Sequence, residues 1–289
     1  MSEKIKICAL LTCFNRREST ISCLDALCVA ARQAKVEIQA VLVDDASNDG
    51  TADAVSAKFA WVEVFRTSGD LFWARGMAQA QALARKYRPD FYLWINDDTH
   101  VVPDALQRLL ASYQVAASAN PIIVVGSTID QKTKACTYGG LYAPHRYKIF
   151  NFRRLIGHTV ETECDAMNGN FVLVPSAIVE TIGGIDPIFA HGMGDIDYAM
   201  RAREAGFKVI SAPGWHGYCS NNSAQGTYSD TTLPLLVRWK KMLSRKGLPV
   251  KSWLTLTSRH GGLFWPIYFL WPYARFWCAG ILGQLFSKK

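Results

Sequence analysis

Residues 5–126 alternate between short apolar runs and amphipathic stretches, and that rhythm leaves few folds open. Residues 5–11 (IKICALL) read as a buried strand running into Thr12-Cys13-Phe14-Asn15-Arg16. A helix over about 19–34 follows, with Ser19 or Thr20 as N-cap and Ile21, Leu24, Leu27 and Cys28 at helical spacing. Residues 38–43 form a second strand, closed by the polar run from Asp44-Asp45 through Asn48-Asp49 to Thr51. A helix to about Phe59, a strand at 61–65, a loop at 67–70 and a helix at 73–87 come next. A strand at 91–95, a helix from Pro103 to about Ala116 and a strand at 122–126 complete the series. Repeated strand–helix units imply parallel strands with right-handed crossovers, an α/β fold with a Rossmann-like, mostly parallel sheet flanked by helices. The loops at the carboxyl ends of such strands gather along one edge, where ligands sit.

The run 91–95 (FYLWI) is apolar throughout, as in a strand covered on both faces, and it ends abruptly in Asn96-Asp97-Asp98. Two readings fit those residues. Asn and Asp are ordinary turn formers. Equally, two carboxylates at the ligand edge suit Mg²⁺ or Mn²⁺, which take their remaining ligands from substrate phosphates. Beyond Ser127 the pattern loosens. Residues 133–154, rich in Tyr, Lys and Arg, read as a loop covering the site, and 166–174 as a strand entered through Asn168-Gly169. A short helix at 176–182 ends at Gly183-Gly184, and a further helix opens near Asp195, with Asp197 in its first turn and Gly206 as C-cap. Residues 209–216 read as a last strand ending at His216. Asp44-Asp45, Asp97-Asp98, Asp195-Asp197 and His216 each follow or open a regular element, so one cleft can gather them.

A hydrophobic content of 49% with 19% charge describes a globular chain. The eight cysteines are scattered without a Cys-x-x-Cys pair, which argues against a zinc site or a disulfide framework. With no export signal, a reduced cytoplasmic protein is expected. The formal charge of +8 is concentrated at the end: residues 231–289 carry ten Lys or Arg and no acid, leaving 22 basic and 24 acidic residues before them. The division expected is a globular part over 1–230, a nucleotide-binding layer to 126 and a looser part from 127, with a basic, aromatic extension over 231–289.

Taken in order, these motifs resemble those of family 2 glycosyltransferases with the GT-A fold, over about residues 4–219. Thr12-Cys13-Phe14-Asn15-Arg16 resembles the family's "TYNR" segment, and 43–51 (VDDASNDGT) its "VDDGSTDGT" signature. The resemblance implies that Thr12, Phe14, Asn15, Arg16, Asp44 and Asp45 hold the nucleotide, since a carboxylate can accept both a pyrimidine N3–H and ribose hydroxyls. For Asn48 and Asp49, helix capping is the preferred reading. Arg75 matches a basic position contacting base or diphosphate, although the surrounding segment departs from the family's glycine-rich form. Asn96-Asp97-Asp98 matches the D-x-D motif with Asn in first place. By that match Asp98 ligates a metal, Asp97 faces ribose or sugar, and Asn96, Asn168 and Gly169 line the donor sugar. His216 matches a histidine that completes the metal site. Asp195 matches the catalytic base of inverting members, whose preceding acid is here Gly194. Asp197 is a weaker candidate for the acceptor, or a structural residue at a helix start. Leu235-Leu236-Val237-Arg238-Trp239 lacks the Gln of the processive Q-x-x-R-W segment, which implies one sugar per encounter with Arg238 and Trp239 near the acceptor.

Residues 261–286 contain nine aromatics and one charge, Arg275, and are interrupted by Pro266 and Pro272. Behind a basic stretch at 238–246, this pattern suits an anchor lying in the membrane interface, or a surface packed on the enzyme or on a second copy. The first of these implies peripheral attachment to the inner face of the cytoplasmic membrane, with no nucleic acid partner. The expected activity is a metal-dependent (Mn²⁺ or Mg²⁺) inverting transfer of one sugar from a UDP- or dTDP-sugar, dTDP-rhamnose first. Its acceptor would be a polyprenyl-diphosphate-linked glycan in O-antigen or capsule assembly, whose phosphates the basic stretch would also meet. Two other classes share the nucleotide layer. One is a sugar-phosphate nucleotidyltransferase, which needs a glycine- and basic-rich loop after the first strand. The other is a non-catalytic partner of a membrane glycan complex.

Overall fold

The computed structural model describes residues 4–117, 120–145, 147–221 and 223–286. The chain opens with β1 (Lys6–Cys13), α1 (Arg17–Ala34), β2 (Glu37–Asp44), α2 (Thr51–Lys58), β3 (Val62–Arg66), α3 (Phe72–Ala84) and β4 (Phe91–Ile95). Then come β5 (His100–Val101), α4 (Ala105–Ala116), β6 (Ile122–Val125), β7 (Thr128–Ile129), β8 (Cys136–Tyr138) and β9 (Gly140–Tyr142). The second half adds β10 (Arg153–Arg154), β11 (Thr162–Glu163), β12 (Ala166–Met167), β13 (Phe171–Pro175), α5 (Ser176–Ile182), α6 (Gly194–Glu204), β14 (Lys208–Ser211) and β15 (Gly217–Tyr218). Three helices close it: α7 (Leu235–Met242), α8 (Val250–His260) and α9 (Trp265–Phe286).

Among the described residues the main sheet has eight strands in the order β11-β14-β6-β13-β4-β1-β2-β3. Its strands are apolar on both faces because both faces are covered. In β1, Ile7, Ala9 and Leu11 enter one core while Cys8 and Leu10 enter the other; in β4, Phe91, Leu93 and Ile95 part from Tyr92 and Trp94 in the same way. The first core is closed by α1 and α4 through Leu24, Leu27, Leu106 and Leu109. The second is closed by α3, α5 and α6 through Met77, Ile178 and Tyr198, and α8 adds Trp253 and Leu256 to it. The basic extension therefore shares a core with the nucleotide layer.

Four of the seven strand pairings in this sheet are parallel, and the antiparallel exceptions centre on β13, which lies between β4 and β6. Simple doubly wound alternation does not foresee that insertion. Several boundaries also shift. Helix α1 starts at Arg17, and neither Ser19 nor Thr20 caps it; Asp49 Oδ2 accepts the Arg17 N–H instead. The strand read over 166–174 is two strands, broken at Asn168-Gly169-Asn170. The strand read over 209–216 stops at Ser211, and His216 lies beyond the turn at Pro213-Gly214, just before β15. Helix α6 is capped by Ala205, with Gly206 following at a φ of +89°. Part of the presumed loop at 133–154 is regular: β9 pairs with β10 and β12, and β8 with β7.

Pro266 and Pro272 do not break the last helix. Pro266 falls in the first turn of α9, where no intrahelical N–H is required, and Pro272 lies within the helix. Among the described residues no helix is long and apolar enough to cross a membrane.

Candidate active site

The carboxyl ends of β1 and β2 are neighbours in register, with Cys13 opposite Asp44. Their loops interlock. Asn15, in the left-handed region at φ +51°, donates its N–H to Ser47 Oγ at 2.9 Å, and its Oδ1 accepts the Asn48 N–H at 2.8 Å. Asp49 bridges two helix starts, accepting from Arg17 N–H and from Thr51 N–H, both at 3.0 Å. The N-cap positions themselves are Arg16 and Gly50, so Asp49 serves the first N–H of each helix from outside them, and Asn48 contributes its backbone. Asp44 is buried and its Oδ1 receives the Ser47 N–H at 2.8 Å. Asp45 is also buried, and it collects the Leu71 and Phe72 N–H groups together with the Thr67 hydroxyl. Asp45 thus ties the start of α3 to the end of β2. Phe14, by contrast, is exposed beside this loop pair.

From that loop pair, Arg16 reaches across to the end of β4. Its Nη1 lies 2.5 Å from Asp98 Oδ2 and 3.2 Å from Asp97 Oδ1. Asp97 is buried and its second oxygen has no partner among the described residues. Burial pushes its carboxyl up to about 7 despite the nearby guanidinium, with the Asp98 charge adding to the rise. Asp98 is one-third exposed, and its Oδ1 accepts the Cys219 thiol at 3.4 Å. Burial raises that thiol to about 12, so it remains protonated and donates.

A second chain of contacts leads from Asn96 to Asp195. Asn96 Oδ1 accepts the Trp73 indole N–H at 2.7 Å. The indole lies on Gly169, where a Cβ would meet it at 2.5 Å, so only glycine permits this packing. The Gly169 N–H in turn donates to Asp195 Oδ2 at 3.0 Å. Asp195 stands at the start of α6. Burial raises its pKa, and the Gly169 and Ile196 N–H groups with the Asn168 side chain offset part of that rise. Gly194 packs where a Cβ would come within 3.0 Å of Ala74 and 3.2 Å of Ile185, a contact that a side chain there would have to push apart. Asn96, Asn168, Gly169 and Asp195 are thus joined through Trp73. Sequence reasoning passed over that residue, although it directly precedes the Ala74-Arg75 pair that drew attention.

Other candidates are placed elsewhere. Asp197 is fully buried and bound by Arg259 at 2.6 Å, Arg201 at 2.8 Å and His260 at 3.1 Å. Burial works to raise its pKa, but those donors and cations outweigh it and the net shift is downward. It joins α6 to α8 and offers no face to an acceptor. Arg238 donates to Tyr228 O and lies 5.4 Å from the Phe276 ring, while Trp239 packs on Tyr273, Phe276 and Trp277. Both pack against α9. Arg75 Nε donates to Pro187 O at 2.9 Å, next to the loop that leads to Asp195. Thr12 packs against Gly76 of α3.

The model of "Glycosyl transferase family 2" matches residues 8–171, more than half of the chain. The chain belongs to glycosyltransferase family 2. No curated protein sequence matches it. Among solved structures, GalNAc-T7 with UDP, GalNAc and Mn²⁺ is similar at a TM-score of 0.58 and 15% identity, over 77% of this chain and 45% of that one. The chain thus spans less than half the length of that protein. The mannosyltransferase PcManGT from Pyrobaculum calidifontis, with GDP-Man and Mn²⁺, gives 0.56 and 16% over 92% of this chain and 69% of that one. S. aureus TarS 1-349 in complex with UDP gives 0.54 and 13% over 88% and 70%. At these identities the likeness is one of fold, the GT-A architecture.

Two members of that fold group carry Mn²⁺, so the residues here are tested for a cation. Among the described residues no cage of three or more His, Cys, Asp or Glu forms. One accessible carboxylate, Asp98, suits a hard cation that draws its other ligands from phosphate and water. His216 does not join it. Its ring is fully buried against Phe171 and Gly126, and Nδ1 accepts the Ser127 N–H at 3.2 Å, which leaves the proton on an unpartnered Nε2. Burial lowers its pKa to about 3, so the ring is neutral and its only free nitrogen carries hydrogen. The partner beside Asp98 is Cys219.

Proposed function

We propose that this family member is a metal-dependent, inverting glycosyltransferase that moves one sugar from a UDP- or dTDP-sugar to a lipid-linked glycan. The observation that carries the reading is the pairing of two carboxylate stations through Asn96, Trp73 and Gly169. Asp98 stands at the end of β4 and Asp195 at the start of α6.

Arg16 and the Asn15–Ser47 loop pair would hold the nucleotide and its phosphates at the carboxyl ends of β1 and β4. Asn96, Asn168 and Gly169 would fix the donor sugar under the Trp73 indole. Asp195, ionised, takes the proton of the acceptor hydroxyl as that oxygen attacks the anomeric carbon; the glycosidic bond forms as the bond to the diphosphate oxygen breaks. A single carboxylate suffices, because the attack inverts the centre in one displacement. A cation held by Asp98 would neutralise the departing diphosphate. Arg16, which lies on Asp97 and Asp98, would add positive charge beside the phosphates.

The lipid-linked acceptor rests on the C-terminal helix. Leu263, Phe264, Ile267, Leu270 and Trp271 are exposed on and just before α9, behind a segment without acidic residues. A contiguous apolar face of that kind, flanked by Lys and Arg, suits the interface of an anionic membrane. The donor sugar to try first is rhamnose, since Asn96-Asp97-Asp98-Thr99 resembles rhamnosyltransferase-like members. The test is Asp195→Asn assayed with labelled donor sugars and the lipid extract of the source cells. Transfer is expected to fall by about 10²–10⁴-fold while nucleotide binding persists. Transfer that survives in the variant would remove Asp195 as the base.

A further inference from the structure

A cavity of about 580 Å³ opens beside the site, lined by Phe72, Tyr228, Lys241, Ser244, Arg245 and Lys246. That volume suits a small anionic group with part of its substituents. Its walls are built rather than incidental. The basic loop after α7 curls back so that Gly247 N–H reaches Ser244 O at 2.9 Å, with Leu248 N–H on Met242 O at 2.5 Å. Gly247 lies so close to the Lys241 and Met242 carbonyls that any side chain there would open the curl. On the facing wall Asp70 and Phe72 both hold left-handed backbone, at φ +71° and +60°, a conformation that non-glycine residues keep only where their surroundings impose it. Asp45 imposes it here by gripping the Leu71 and Phe72 N–H groups.

The charges in this cavity do not balance. Arg245 pairs with Asp70 at 2.8 Å and lies 5.0 Å from the Phe72 ring. Among the described residues Lys241 and Lys246 have no carboxylate partner. Two ammonium-bearing residues therefore line one space with one acid, itself already paired, while the Ser244 and Thr227 hydroxyls donate to the Lys241 and Ala224 carbonyls and shape the wall. Such a set recognises phosphate. The cavity's position says whose phosphate. Phe72 touches the His191 ring edge-on at 6.1 Å, on the loop four residues before Asp195, and is next in sequence to Trp73. It thus adjoins the loop that leads to Asp195, where the acceptor hydroxyl must arrive. From Lys241, α7 leads back through Trp239 to α9 and its exposed apolar face.

The geometry points to this cavity as the subsite for the diphosphate of the acceptor, with its lipid running toward α9 and its terminal sugar toward Asp195. This inference rests on the lipid-linked acceptor proposed above and gives it an address. A second cavity of about 560 Å³, between Arg88, Pro89 and Ser176, lies at the amino end of β4 and has no such relation to Asp195.

Farnesyl diphosphate, farnesol and inorganic pyrophosphate serve as probes, titrated calorimetrically into the full-length protein saturated with whichever of UDP, dTDP or GDP it binds. Wild-type protein is expected to bind farnesyl diphosphate without losing the nucleotide, and at least tenfold more tightly than farnesol. The double variant Lys241→Ala/Lys246→Ala is expected to weaken farnesyl diphosphate and pyrophosphate at least tenfold and to change nucleotide affinity less than twofold. A thermal melt checks its folding, and Lys246→Glu alone, at an exposed position, provides a second reading in the same direction. Equal binding by wild type and both variants would overturn the cavity assignment and leave the lipid-linked acceptor standing. Parallel loss of nucleotide, or competition between nucleotide and farnesyl diphosphate, would assign the cavity to the donor instead. Wild-type protein that binds nucleotide but not farnesyl diphosphate would overturn both the subsite and the lipid-linked acceptor.

Discussion

A carboxylate with one oxygen on Arg16 and the other buried without a partner among the described residues, as in Asp97, gains too little from the guanidinium to offset its lost hydration. Its folded pKa, about 7, lies above the ordinary value of 3.8, so Asp97 favours the folded state at acid pH. That contribution is complete below pH ~4 and disappears as pH rises through ~7. Asp97→Asn is therefore expected to stabilise the metal-free protein at pH 8 by on the order of 2 kcal/mol, once the weakened Arg16 contact is set against the relief. At pH 4 the gain should vanish. Urea titrations at the two pH values check this. Asp195 is also raised, and it must be ionised to accept a proton. The acid limb of the rate profile should accordingly lie above the pH range of an ordinary aspartate. Gly169→Ala drives a methyl into Trp73 and should shift the indole emission and lower transfer together.

At the scale of elements, α6 positions Asp195, the proposed base, and is itself held from the far end of the chain. Asp197 receives Arg259 and His260 from α8, and His260 also reaches Glu204 at 2.6 Å. Arg259→Ala leaves a buried carboxylate with Arg201 as its remaining guanidinium partner and should cost about 2–3 kcal/mol, read from the denaturation midpoint. This explains why Asp197 was hard to judge from sequence. An acid in a helix's first turn is expected for the dipole alone, and nothing local announces three side-chain partners, two of them some sixty residues away. The main strands and helices were legible because runs such as 91–95 are apolar on both faces. The antiparallel β13 was not, since strand order is set by tertiary pairing and not by pattern. His216 looked like a ligand by its match at a strand end, but Ser127 and Phe171 enclose it in the core. Trp73 escaped notice because an aromatic at a helix start is usually packing, and its partners Asn96 and Gly169 lie far along the chain.

For the whole molecule, the arrangement is a mostly parallel layer with Asp98 at its carboxyl edge and C-terminal helices packed on the core beside α6. Trp253 Nε1 donates to Phe269 O, and Tyr273 to Leu248 O, so α9 is fixed on one side and apolar on the other. Leu263→Glu/Phe264→Glu, at exposed positions, should lower cosedimentation with anionic vesicles at least tenfold without changing the melting temperature. Salt should weaken wild-type binding as well. The central claim, however, is that Asp98 and a divalent cation together hold a nucleoside diphosphate at the edge shared with Asp195. Calorimetric titration of UDP, dTDP and GDP into wild-type and Asp98→Ala protein, with Mn²⁺ and with chelator, tests it most directly. The account predicts that one nucleotide binds with Mn²⁺, weakens at least tenfold with chelator, and weakens likewise in the variant. Nucleotide binding indifferent to both the cation and Asp98 would contradict it.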